Sequence, residues 1–171
     1  MNDQSERPDD GPRRIEAEAR ARVEALFSHG LPWAEAEEAR ILANGTPLDA
    51  VGLELAKEAG VRDADRVRLL QVPEVPMPTA EPIRSQLAQA GLISSGNMGM
   101  ALGHGIFLIP AAVGDKRTLM HELTHVAQVE RLGGLRPFLS EYLFQCLMHG
   151  YANSEFEQKA YRNGDRYLAS P

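Results

Sequence analysis

The sequence predicts an α+β domain in which a small β-sheet packs against several helices, with a helical N-terminal half. Three observations carry that expectation. Apolar residues recur at three-to-four spacing through most of the first 60 positions and again beyond position 115. Only two runs, 67–72 and 105–109, read as clear strands. The length, 171 residues at 43% apolar and 25% charged, is one domain's worth and large enough to bury a core.

Composition bounds the function before any motif does. A single cysteine, Cys146, excludes an internal disulfide and fits a reducing compartment. The net charge of -6 argues against a general nucleic-acid binder, which would show a basic stripe. The first 14 residues are polar and charged, without the basic and apolar pattern of a secretory signal, and no apolar run approaches membrane-spanning length. A cytoplasmic protein without nucleic-acid or membrane partners is expected.

Residues 1–12, with Pro8, Asp9, Asp10, Gly11 and Pro12, read as a disordered tail, leaving 13–171 as a single domain. From Arg13 to Phe27, Ile15, Ala19, Val23 and Leu26 form an amphipathic stripe, and the helix is expected to end near Ser28-His29-Gly30. Pro32–Leu42 and Pro47–Ala59 read as two shorter helices opened by proline and stopped at Asn44-Gly45 and Gly60. These complete a helical part over 13–60 whose charges form a solvated face.

Val67–Val72 reads as a strand, and the four prolines between 73 and 82 keep the connector after it extended. Pro82–Ala90 is expected to be a helix closed by Gly91, and the glycine-punctuated stretch 94–103 a turn plus a short strand. Its glycines lack the dinucleotide-binding spacing. Gly105–Ile109 reads as a strand, and Pro110 at its end suggests a sheet edge, where an extended peptide could pair main chain to main chain. His104 reads as a turn residue.

Most of the functional reading hangs on His121-Glu122-Leu123-Thr124-His125. This is the H-E-x-x-H pattern, in which two imidazoles bind zinc and the carboxylate between them is a general base. On a helix, residues four apart share a face, so both rings can converge on one ion, while Glu122 reaches a water on the open side. The local signals for that helix are good: Asp115 caps it, Leu119, Leu123 and Val126 form an apolar stripe, and Gly133-Gly134 end it. A histidine pair beside glutamate is a costly choice for an apolar helix centre, and zinc accounts for it.

A catalytic zinc usually keeps three protein ligands and an open position. Gln128 and Arg131 exclude the long form of the motif with a third histidine, so the third ligand must come from further on. Pro137–His149 forms an amphipathic helix with Cys146 on its apolar side, and a last helix opens near Asn153–Tyr161. Together these motifs resemble those of the gluzincin-type zincin metallopeptidases, in which the H-E-x-x-H helix is followed by a helix carrying a glutamate ligand. His121–Gln128 is similar to the first motif as it occurs in small bacterial members of that group, and Phe156-Glu157-Gln158-Lys159-Ala160 to the second.

The resemblance covers residues 97–165, the expected metal-site core. It implies a zincin-like fold, one zinc ion, and His121, His125 and Glu157 as ligands, with Ala160 as the small residue that lets two helices approach. Lys159 stands where many such sequences carry a second acidic residue. Two alternatives stay open for Glu157: Ser154-x-x-Glu157 is also a capping box, and Glu155 is a competing ligand. His149, Tyr142, Tyr151 and Tyr161 are candidates to stabilise an oxyanion.

The expected activity is zinc-dependent hydrolysis of peptide bonds, with a peptide or protein as substrate and Glu122 as base. The alternative is a noncatalytic zinc-binding structural or interaction protein. The same ligands would also serve hydrolysis of a non-peptide amide. Because both imidazoles must be neutral to bind metal, activity and metal should be lost together in acid.

Overall fold

The computed structural model describes residues 11–93 and 96–168. Its organising strand is β4, Gly105–Leu108, whose four residues are all buried. Successive strand side chains point to opposite faces, so a fully buried Gly-Ile-Phe-Leu run needs cover on both. β4 has it: Ile106 and Leu108 join the α2 (Ala50–Ala59) and α4 (Lys116–Leu132) side of the core, with Leu55, Met120, Leu123 and Val126. Phe107 packs on the other side with Ala34 and Ile41 of α1 (Gly11–Asn44).

The sheet is mixed. Its order is β1 (Thr46–Pro47), β2 (Arg68–Gln71), β4, β3 (Gly99–Leu102). β2 runs parallel to β4, while β1 and β3 are antiparallel to their neighbours. The α+β expectation therefore holds, with six α-helices among the described residues. The run 105–109 is not the sheet edge: it lies between β2 and β3, and the outer strand is β3. Pro110 falls past the last ladder residue, in a short 3-10 turn, where its missing N–H breaks no pairing.

The N-terminal half departs from expectation in three places. α1 is one helix of 34 residues, with Gly30 and Pro32 inside it and His29 exposed mid-helix rather than at an end. The apolar stripe Val23, Leu26, Phe27, Leu31, Ala34 and Ile41 is buried on both sides of that weak point, and its packing outweighs the local preference to stop. Gly11 and Pro12 already belong to α1; the rest of the expected tail, residues 1–10, lies outside the described residues, as do Ser94 and Ser95. Pro47 sits in β1, and α2 begins only after Asp49, whose carboxylate accepts from the Gly52 amide at 2.7 Å.

α3 (Ile83–Gln89), α5 (Leu135–His149) and α6 (Glu155–Asp165) complete the chain near their expected positions. α5 packs along α1 through Leu139, Leu143 and Leu147 against Val23, Phe27 and Leu31. Cys146 is buried on α5, where burial pushes its thiol up to about 12. Among the described residues no helix is long and apolar enough to cross a membrane.

Candidate metal centre

α4 forms where its caps put it. Asp115 accepts from the amides of Arg117 and Thr118 at 3.2 and 3.1 Å, and Gly133 closes the helix in the left-handed conformation. His121 and His125 consequently stack on one face, with their Nε2 atoms 3.2 Å apart. α6 supplies the carboxylate. Glu157 Oε2 lies 3.3 Å from His121 Nε2, and Oε1 lies 3.3 Å from His125 Nε2.

The capping box does not form. Ser154 precedes α6 without a side-chain cap bond; its hydroxyl instead donates to Gln145 Oε1 at 3.3 Å. Glu157 is thereby free of the helix end and turns to the histidines. Glu155 is exposed, with its amide on Gln145 Oε1 at 2.9 Å, and is not brought to the histidine pair.

What lets α6 come so near α4 is a pair of small residues one turn apart, Ala160 and Gly164. Ala160 is fully buried, and a Cβ added to Gly164 would stand 2.9 Å from the Arg117 carbonyl oxygen. The closest approach is therefore at Gly164, one turn beyond the residue expected to provide it. Polar ties fix the pairing: Asn163 Nδ2 donates to Thr124 Oγ1 at 3.0 Å, and Gln128 Nε2 donates to the Phe156 carbonyl at 3.1 Å.

Gln128 also sets the histidine tautomer. Its Nε2 is committed to a carbonyl, so its Oε1, 2.8 Å from His125 Nδ1, must accept, and Nδ1 carries the hydrogen. The lone pair or proton on Nε2 therefore faces Glu157. One glutamine orients a ring on α4 and holds the backbone beside Glu157 on α6. Sequence reading passed over it, although its position three after His125 on the same helix face was a usable signal.

Electrostatics at the cluster follow from burial against charge. Burial alone pushes the Glu157 carboxyl up, but His121, His125 and the Tyr142 hydroxyl, which donates to Oε1 at 2.7 Å, overcome it and hold the group well below the ordinary range. Burial lowers His125, and the hydrogen bond and charge of Glu157 more than reverse that, so its imidazole is raised. Glu122 is buried beside them and is raised by desolvation, against the opposing pull of His121 and His125 and of the Ala101 amide. Gly99 on β3 makes room for it: an added Cβ there would be 3.0 Å from Glu122 Oε1.

These groups open on one cavity of about 420 Å³, lined also by Tyr142, Tyr151 and Tyr161. The Tyr161 ring meets His121 edge-on at 4.6 Å between centroids. Of the four oxyanion candidates, only His149 is absent from the cavity: it is exposed at the end of α5. His104 is remote from the cluster as well. It occupies the β3–β4 turn and is buried there, with Nε2 3.0 Å from Glu130 Oε1.

The donor set, two imidazoles and a carboxylate, could hold a metal ion and is of a kind zinc accepts. One ligand atom from each of His121, His125 and Glu157 lies within 4.8 Å of the others, close enough for the three side chains to share one ion. Glu157 Oε2 is buried without a hydrogen-bond partner, and two imidazole nitrogens face each other across a carboxylate. Such an arrangement calls for a cation between them. No protein-family model, curated protein or solved structure matches the chain, so the functional reading rests on this geometry.

Proposed function

We propose that the protein is a zinc-dependent peptide hydrolase of the zincin type, with gluzincin-like use of a glutamate ligand. The observation that carries this reading is the triangle of His121, His125 and Glu157 around an unpartnered buried oxygen, with Glu122 next to it on the cavity wall. His121, His125 and Glu157 would hold the ion. When bound, zinc lowers the pKa of a water and polarises a carbonyl oxygen.

Glu122 then takes a proton from the attacking water and passes it to the leaving amine. Its burial raises the carboxyl above the ordinary carboxylate range, which makes it a better proton acceptor. Tyr142 holds Glu157 through Oε1 and leaves Oε2 for the ion. Tyr151 lines the same cavity, and burial, together with Glu157, pushes its phenol upward. It therefore keeps its proton and donates to the oxyanion that develops at the carbonyl. β3 is an outer strand of the sheet, and Gly99, Met100 and Ala101 line the cavity, so an extended substrate can pair with its edge.

Purified protein should contain about one equivalent of zinc. Glu122→Gln should keep that zinc and the thermal stability while turnover of peptides falls by about 10²–10⁴, the usual worth of a general base. Unchanged turnover, or loss of zinc in this variant, would count against the role given to Glu122. Metal analysis that finds no tightly held ion would remove the centre itself.

A further inference from the structure

The cavity does not stop at the metal centre. It runs on to a wall built by α1, α3 and α5 and by the proline-rich connector, where Leu26, Phe27, Leu31, Trp33, Met77 and Leu143 line it. The charged residues along it are few. Beyond Glu122 and Glu157 they are Arg117 and Asp165, which are bonded to each other at 2.8 Å. A volume of about 420 Å³ lies within the range of small-ligand sites, about 300–1,000 Å³, and is larger than any single zinc-binding group requires.

Gly30 lies on that wall, inside α1. A glycine in a helix interior is unfavourable relative to alanine, and this one has neither of the usual structural reasons. Its φ is not positive, and a Cβ added to it would meet nothing within 4 Å. By contrast, a Cβ on Gly105 would stand 2.8 Å from Ile41 side-chain atoms. The consequence of glycine at position 30 is open volume at the apolar end of the cavity.

We infer that this end of the cavity is a subsite for a large apolar side chain of the peptide substrate, and that Gly30 sets its depth. The inference rests on the reading of the centre as a zinc hydrolase. A charged side chain entering there would lose its water without gaining a partner, whereas an aromatic or long aliphatic one would exchange water for the Leu, Phe and Trp wall. α1 lies outside residues 97–165, so the selectivity would come from the part of the chain that does not carry the metal motifs.

The test uses the zinc-loaded full chain and three hydroxamates measured by calorimetry: acetohydroxamate, one bearing a benzyl group, and one bearing a carboxymethyl group. The benzyl compound should bind at least about a hundredfold more tightly than acetohydroxamate, and the carboxymethyl compound no more tightly, given that single methylenes in apolar pockets are worth about 10–200-fold. Gly30→Leu should reduce benzyl affinity at least about tenfold more than acetohydroxamate affinity, with Gly30→Ala between it and the parent. Zinc content and Tm serve as the check on folding. Equal binding of the three compounds, or a Gly30→Leu protein with undiminished benzyl preference, overturns the subsite while leaving the zinc centre standing. Absence of both zinc and acetohydroxamate binding overturns the zinc reading, and the subsite falls with it.

Discussion

Two groups of buried histidine and carboxylate share α4, and their polar atoms find partners in opposite ways. Near the end of the helix, Glu130 accepts the amides of Arg62 and Asp63 at 2.7 and 3.0 Å, and its Oε1 is 3.0 Å from His104 Nε2. Both of its oxygens have protein donors. Earlier on α4, at His121 and His125, the facing carboxylate is Glu157 of α6, which has one donor on Oε1, none on Oε2, and two imidazole nitrogens in front of it. By proximity alone the groups are alike: in each, His121, His125 and Glu157 or Asp63, His104 and Glu130, the ligand atoms lie within 4.8 Å of one another. The difference teaches that a cluster of ligand residue types is not enough to mark a candidate metal site; an oxygen left without a protein donor is what favours one cluster over the other.

The comparison breaks most visibly at Glu130. Glu130→Ala would leave two amides and His104 without their acceptor and should cost about 3–5 kcal/mol of stability by denaturant unfolding. The folded fraction should still take up one zinc. If this variant lost zinc at constant stability, the two clusters would have been assigned the wrong way round. Acid acts on the same group. Burial raises the Glu130 carboxyl, but the Arg62 and Asp63 amides and His104 overcome that and hold it below the ordinary range. Its contribution is therefore present above the usual glutamate pKa of about 4.3 and is lost as pH falls through the lower folded value. Glu130→Gln should flatten that part of the unfolding profile.

Glu157 sharpens the comparison from the other side. In the parent protein, zinc at about a hundred times its Kd should raise stability by about 2.7 kcal/mol, seen as a zinc-dependent Tm. Glu157→Ala should abolish that rise, while the metal-free variant keeps a folded far-UV spectrum. A zinc-induced shift that survives the substitution would exclude Glu157 from the ligand set.

The smallest effect concerns Gln128, which would act on a bound ion indirectly, through His125 and the backbone beside Glu157. Gln128→Ala should weaken zinc about 10–100-fold by competition with a chelator, as removal of such supporting bonds does. Gln128→Glu, which keeps an acceptor for His125 Nδ1, should recover part of the loss. A purely structural role would instead lower stability in both variants and leave zinc affinity unchanged.

How much of this was legible from residues alone differs along the chain. His121 and His125 could be placed on one helix face, with Glu122 to the side of it, because the spacing is local, and Asp115 and Gly133 bound that helix as their side chains and φ preferences require. The N-terminal boundaries were misread at Gly30, Pro32 and Pro47 because local propensity was weighed without the packing of Phe27, Leu31 and Ile41. β4 was taken for an edge from Pro110, since strand order is not contained in any single strand.

By itself, then, the sequence determined the α+β class, the motif helix with its caps, and the pairing of His121 with His125 beside Glu122. Only the tertiary structure decided that Glu157 faces the histidines and does not cap α6, that Gly164 and Ala160 let α6 come close enough, and that Gln128 joins the two. The reason is physical. Helix periodicity orders groups within a few residues of one another, whereas the 3.3 Å between α4 and α6 is set by contacts between residues 28 or more apart, which no local pattern encodes.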